Sequence, residues 1–143
     1  MTNKAVNEAL DVAMLPLADG RRLMMPMAVL AEVKQIPSAS RDATEHPILE
    51  WRGHNLAIKS LDEECGLPAP DIQRQRIVGI FRADNDSEQP FRALAFCGTA
   101  AHGLIKPDQL VTTEKPAQGN FAAAAELDGE LYLIPDLPKL MYS

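Results

Sequence analysis

Apolar residues along this chain come in short clusters of about five to seven, the length of strands rather than of bundle helices. The first is Ala13–Leu17; Ala18, Asp19 and Gly20 make a turn and Arg22–Met25 returns, so residues 13–26 predict a β-hairpin. Met27–Val33 (MAVLAEV) lacks strict alternation and contains good helix formers, which fits either a short helical turn or a continued strand. A polar loop follows over Ile36–Pro47. Ile48–Trp51 and Leu56–Lys59, flanking Arg52–Asn55, then predict a second strand pair. In Ser60–Gly66 (SLDEECG) Ser60 can cap a short helix, Glu63 stands three residues later as in a capping box, and Gly66 can end it. Arg76–Phe81 is apolar on both faces and predicts a buried strand, joined through the polar loop Ala83–Pro90 to a strand at Phe91–Phe96. Gly103–Ile105 is a further strand before a turn at Lys106–Leu110, and residues 114–120 form a loop. Phe121–Leu127 and Glu130–Ile134 flank Asp128-Gly129, a tight-hairpin signal, and Asp136 caps a closing helical turn over Asp136–Met141.

Many short strands, small turns and no long amphipathic helix predict an all-β fold with short helices, a barrel or sandwich rather than a βαβ sheet. A chain of 143 residues has room for one domain or for two small lobes sharing an interior. We therefore take residues 1–143 as a single domain. The composition turns polar after Pro68 and Pro70, which places an approximate lobe division near residues 67–75. Each half ends its strands with a short capped helix, at Leu61–Cys65 and Leu137–Leu140.

Charge and composition narrow the function. The net charge of −6, from 14 basic and 20 acidic residues without a basic arm, argues against a phosphate-backbone partner. An aromatic content of 5% argues against base-stacking platforms. No apolar run approaches the roughly 20 residues of a membrane helix, so no direct membrane insertion is expected. Glu8 and Asp11 interrupt the N-terminal stretch, which does not read as a secretory signal. The two cysteines, Cys65 and Cys97, then read as reduced thiols in a cytoplasmic protein.

Candidate chemistry is sparse. Cys65 or Cys97 could pair with His46, His54 or His102, but no nucleophile signature surrounds either thiol, and small buried cysteines are common at such positions. The histidines lack metal-ligand spacing, and no phosphate-binding glycine loop occurs, so no metal or other cofactor is expected. Asp62, Glu63 and Glu64 suit a helix start without further purpose, while Asp84, Asp86 and Glu88 solubilise a loop. Two features suit protein contact instead. Leu23–Val33 (LMMPMAVLAEV) is rich in flexible apolar side chains, either half exposed for a partner or all packed in a core or lobe junction. Arg52, in Trp51-Arg52-Gly53, could pair with Glu32 or Glu50.

Together these segments resemble the CheW-like family of bacterial chemosensory coupling proteins. LMMPMAVLAEV, then ILEWRGHNLAIKSLDEECG, RIVGIF, FRALAF, CGTAAHGLIKP and AAAAELDGELYLIPDLPKLM follow the family's order and spacing from about Ala13 to Met141. Glu50 stands where the family motif has Asn, and Cys97 where an Asp is usual. The resemblance implies two small five-stranded β-barrel lobes around a shared hydrophobic core. It also implies a non-catalytic scaffold linking a methyl-accepting chemoreceptor to the regulatory domain of a CheA-type histidine kinase, at polar receptor arrays. The WRG, LMMPMAV and IPDL segments look most like members serving type IV pili and twitching. Carried onto this chain, the receptor-facing groove involves Met27, Leu30 and Ala31 with Gly98 and His102, and Arg52 takes Glu32 as its acidic partner. The competing readings are an adaptor or regulator that binds only one of these partners, and a small-barrel enzyme or ligand binder using Cys97 and His102.

Overall fold

The computed structural model describes residues 9–36, 48–71, 74–83, 90–137 and 140. The calls on His46, Asp84, Asp86 and Glu88, most of the Ile36–Pro47 loop and part of the closing helical turn lie outside these residues. The predicted N-terminal hairpin forms: β1 (Leu10–Pro16) pairs antiparallel with β2 (Arg22–Pro26). Both readings of Met27–Val33 hold in succession, since a 3₁₀ turn over Met27–Val29 leads into β3 (Leu30–Gln35). Then come β4 (Ile48–Trp51), β5 (His54–Ser60), helix α1 (Leu61–Glu64), β6 (Ile77–Arg82) and β7 (Phe91–Phe96). The chain ends with β8 (Ala101–Ile105), a 3₁₀ turn at Pro107–Gln109, β9 (Leu110–Thr113), β10 (Phe121–Leu127) and β11 (Glu130–Pro135).

Local chemistry explains the turns. Arg52-Gly53 and Asp128-Gly129 each place two successive residues at positive φ (47° and 81°; 53° and 83°), the backbone of a two-residue hairpin whose twist matches its strands. Ser60 caps α1, its Oγ accepting from the Glu63 N–H at 3.4 Å, and the same oxygen accepts from the buried Gln75 amide at 2.8 Å.

The strands make two curled sheets, in the orders β8-β1-β2-β11-β10-β9 and β3-β6-β7-β5-β4. Pairing is antiparallel except for β2 with β11 and β5 with β7. The six strands of the first sheet come from five segments. Its two edges, β8 and β9, are halves of one stretch bent at Pro107–Gln109, where the Lys106 N–H donates to Gln109 Oε1 at 2.7 Å. In the second sheet side chains bridge the edges β3 and β4. Trp51 Nε1 donates to Glu32 Oε1 at 3.2 Å, Arg52 Nη2 lies 3.7 Å from the same oxygen, and the guanidinium stacks 4.7 Å from the Trp51 ring.

The sheets are not successive halves of the chain, which corrects the lobe division expected near residues 67–75. That stretch joins β5 and α1 to β6, and β4, β5, β6 and β7 share one sheet. The chain instead crosses between sheets twice, at Met27–Val29 and between Phe96 and Ala101.

Most central strands bury side chains on both faces, while β4 and β5 leave one face to solvent. The interior of the second sheet holds Trp51, Leu56, Val78, Ile80, Ala93 and Ala95, and that of the first holds Val12, Met24, Ile105 and Tyr132. Between them lies a shared core including Leu15, Leu23, Met25, Leu61, Phe81, Leu94, Phe96 and Leu133. Period-two alternation sends Leu23 and Met25 to the shared core and Met24 to the first interior, so the core reading holds for this part of the Met-rich segment. Gly79 marks a close approach in the shared core, since a Cβ there would stand 2.9 Å from Phe81 Cε1 and 3.2 Å from Leu30 Cδ1.

Two outcomes follow for urea unfolding. Gly79→Ala overpacks the Phe81 ring and lowers stability by about 1–3 kcal/mol; an unchanged midpoint refutes that packing. Glu32→Ala strands the indole N–H of a buried Trp and loses about 1–3 kcal/mol. Arg52→Ala, removing a largely exposed pair, loses less than about 1 kcal/mol, and Glu32→Gln, which keeps an acceptor, is milder than Glu32→Ala. Equal losses from Glu32→Ala and Arg52→Ala would show that the indole bond does not hold the edges together.

Candidate docking groove

Where the chain crosses between sheets it leaves an apolar groove of about 340 Å³. Met27 of the first crossing and Leu30 and Val33 of β3 line one side, with Ile77 from the start of β6; Thr99, Ala100, Ala101 and His102 of the second crossing and β8 line the other. The sequence reading named Met27, Leu30 and His102, and the structure brings these together. Ala31 and Gly98 flank the groove without lining it. Ala31 packs against the interior of the second sheet, and Gly98 (φ 99°) lies against Pro16, whose Cγ is 3.1 Å from where a Cβ would stand.

Val33 and Ile77 were missed. In a regular strand Leu30 shares a face with Glu32 and Lys34, leaving Val33 opposite. A register shift between Leu30 and Glu32 breaks that parity and puts Val33 on the groove side with Leu30. The only sequence signal was the apolar spacing 30, 33, which a strand reading discards.

The groove has little polarity. His102 Nε2 pairs with Asp11 Oδ1 from β1, both side chains being 55% exposed. Among the described residues no group of three His, Cys, Asp or Glu side chains could hold a metal ion. Burial, with the Asp62 and Glu64 charges, pushes the Cys65 thiol up to about 12, and burial also raises that of Cys97, against the lowered value that a nucleophile needs.

The acidic run in α1 does more than complement a helix start, contrary to the sequence reading. Asp62 is only 2% exposed, and its Oδ2 accepts from the Ala18 N–H at 2.8 Å, tying α1 to the β1–β2 turn. Among the described residues its Oδ1 has no hydrogen-bond partner. Glu64 pairs with Arg92 of β7, whose guanidinium also donates to the Leu140 carbonyl. These bonds hold α1 and the Leu140 backbone against the body that carries the groove.

Burial raises the Asp62 carboxyl above its ordinary 3.8. The folded state then holds the proton more tightly than the unfolded chain, so this group's contribution falls as pH rises from the ordinary value through the raised one. Asp62→Asn keeps an acceptor for Ala18 and removes the charge. Its stability relative to the parent is expected to improve from pH 4 to pH 7 in urea unfolding; a flat difference would contradict the buried-carboxylate account.

Residues 13–143 match the CheW-like domain family. The fold is similar to the crystal structure of the scaffolding protein TtCheW from Thermoanaerobacter tengcongensis, with a TM-score of 0.68 at 13% identity over 94% of each chain. At that identity the likeness is one of fold. No curated protein matches the sequence.

Proposed function

The chain belongs to the CheW-like family, and on that footing we propose that it is a non-catalytic coupling scaffold joining a methyl-accepting chemoreceptor to the regulatory domain of a CheA-type histidine kinase. The observation that carries this is the groove of about 340 Å³ at the double crossing. It is apolar, backed by the shared core and shaped for the apolar stripe of a helix, a mode of binding in which side chains spaced along one helix face anchor the contact. The occupant is the receptor's helical hairpin, held by Met27, Leu30 and Val33 and oriented at the rim by Thr99 and His102. The kinase takes a separate surface, and signal passes as a change in contact geometry with no bond made or broken in this chain.

One unit acts throughout, because β1 and β2 complete a sheet with β8–β11. The pathway is one controlling type IV pili and twitching, on the resemblance of the LMMPMAV, WRG and IPDL segments. The place of action is the cytoplasmic side of receptor arrays; among the described residues no helix is long and apolar enough to cross a membrane. An enzyme using Cys97 and His102 is disfavoured by the raised thiol and by the pairing of the imidazole with Asp11.

Leu30 also belongs to the shared core, so Met27→Asp is the cleaner test and Leu30→Asp its companion. Met27→Asp should keep its circular dichroism spectrum and lose at least about tenfold in receptor affinity, the equivalent of 1.4 kcal/mol, while still binding the kinase. Full receptor binding by the folded variant removes the groove from this account. Failure of receptor and kinase to bind together would make the chain a single-partner regulator.

A further inference from the structure

Both chain crossings between the sheets pass the groove, beside strand β3 of the second sheet and β8 of the first. Each of these strands begins its sheet's order: β3 is followed by β6, β7 and β5, and β8 by β1, β2, β11 and β10. The shared core fills the space between the inner strands with Leu15, Leu23, Phe81, Leu94 and Leu133. Beyond it, where β7 and α1 of one sheet meet the ends of β10 and β11 of the other, polar contacts join the two bodies.

These contacts close into a ring. Arg92 of β7 pairs with the Glu64 carboxylate of α1. The Glu64 carbonyl accepts from the Asn120 side-chain amide at 3.3 Å, just before β10. The Asn120 carbonyl accepts from the Asp136 N–H at 3.0 Å, and the Asp136 carbonyl from the Leu140 N–H at 2.9 Å. The Leu140 carbonyl accepts from Arg92, which completes the ring. Two small residues let the backbones meet at the same place: a Cβ on Gly66 would stand 3.2 Å from Gly119 Cα, and the Asn120 N–H donates to the Cys65 carbonyl at 2.6 Å.

A closed sheet deforms little, whereas a crossing of three or four residues can absorb a rotation. The Arg92 and Glu64 side chains are only 12% and 16% exposed, and an ion pair this buried is costly to break by removing one partner. We infer that the two sheets form a hinge and a latch: the double crossing is the pivot, and the Arg92-centred ring across the shared core sets how wide the groove stands. Arg92 and the turn after β11 thereby position a groove to which they contribute no lining side chain. The groove's width is set in this way whatever docks in it.

The test measures that width directly. Nitroxides are attached through Gln35→Cys on β3 and Leu104→Cys on β8, two exposed positions beside the groove, in a Cys97→Ser background with the buried Cys65 left in place. Pulsed electron paramagnetic resonance then gives the distance between them. Arg92→Met combined with Glu64→Gln removes the ring's central pair without stranding the carboxylate charge. In that variant, folded by circular dichroism, the distance should shift by ~2 Å or more and its distribution broaden, and the Asp136 and Leu140 amides should exchange at least ~10-fold faster. Glu64→Gln alone keeps an acceptor for Arg92 and should hold the parent distance. So should Glu32→Ala, which weakens the second sheet away from the ring. A parent-like distance in the folded double variant overturns the inference, whatever its amides do. An equal shift in Glu64→Gln or in Glu32→Ala overturns it too, because the change would then follow general loss of stability. Should the double variant fail to fold, Asn120→Ala, which cuts the ring at its bond to Glu64 and keeps the backbone bonds, is read by the same distance, and a parent-like value there is equally fatal.

Discussion

Nearly every central strand of this protein serves two cores at once, and the rest of the structure depends on that constraint. In β7, Ala93 and Ala95 fill the interior of the second sheet while Leu94 and Phe96 fill the shared core. In β6, Val78 and Ile80 take the first of these faces and Phe81 the other. Burying a large apolar side chain contributes about 1.5–3 kcal/mol, so no face of these strands can be given to solvent without a large loss. Small residues sit where two layers converge: Ala in the curled interior, Gly79 where Phe81 and Leu30 close in.

Interleaving follows from the same constraint. A chain that built one sheet and then the other would leave the shared core held by side-chain packing alone. Here the first two strands join the last four, and the chain passes between sheets twice. Both crossings come to the same place. Met27 belongs to one and Thr99 and Ala100 to the other, and all three line the groove. The apolar groove is thus a consequence of the topology: crossing segments leave their sheets, lose their strand neighbours and expose the side chains that faced them.

A scaffold needs surfaces that keep their relative positions, and the polar interactions are arranged to that end. Glu32 accepts from Trp51 across the edges of the second sheet. Asp62 holds α1 to the β1–β2 turn, and Arg92 joins β7 to Glu64 and to the Leu140 carbonyl. Each of these joins elements far apart in sequence. None of these bonds gathers reactive groups around a cavity, and burial raises both thiols above their ordinary value.

The sequence by itself determined the local parts. Short apolar clusters marked the strands other than β9, Asp128-Gly129 marked a hairpin, and Ser60 with Gly66 bounded a helix, because turn backbone and side-chain period are properties of neighbouring residues. It also placed Met27, Leu30 and His102 at one site, through a resemblance carried by the order of the segments. The tertiary structure alone decided which distant strands meet, as in the pairing of Leu23 with Leu133. It alone set the bulge that turns Val33 toward the groove, and the pocket that makes Asp62 a buried strut. Those outcomes depend on a competition among long-range packings, and no local pattern of residues contains the energy of a contact whose partner lies a hundred positions away.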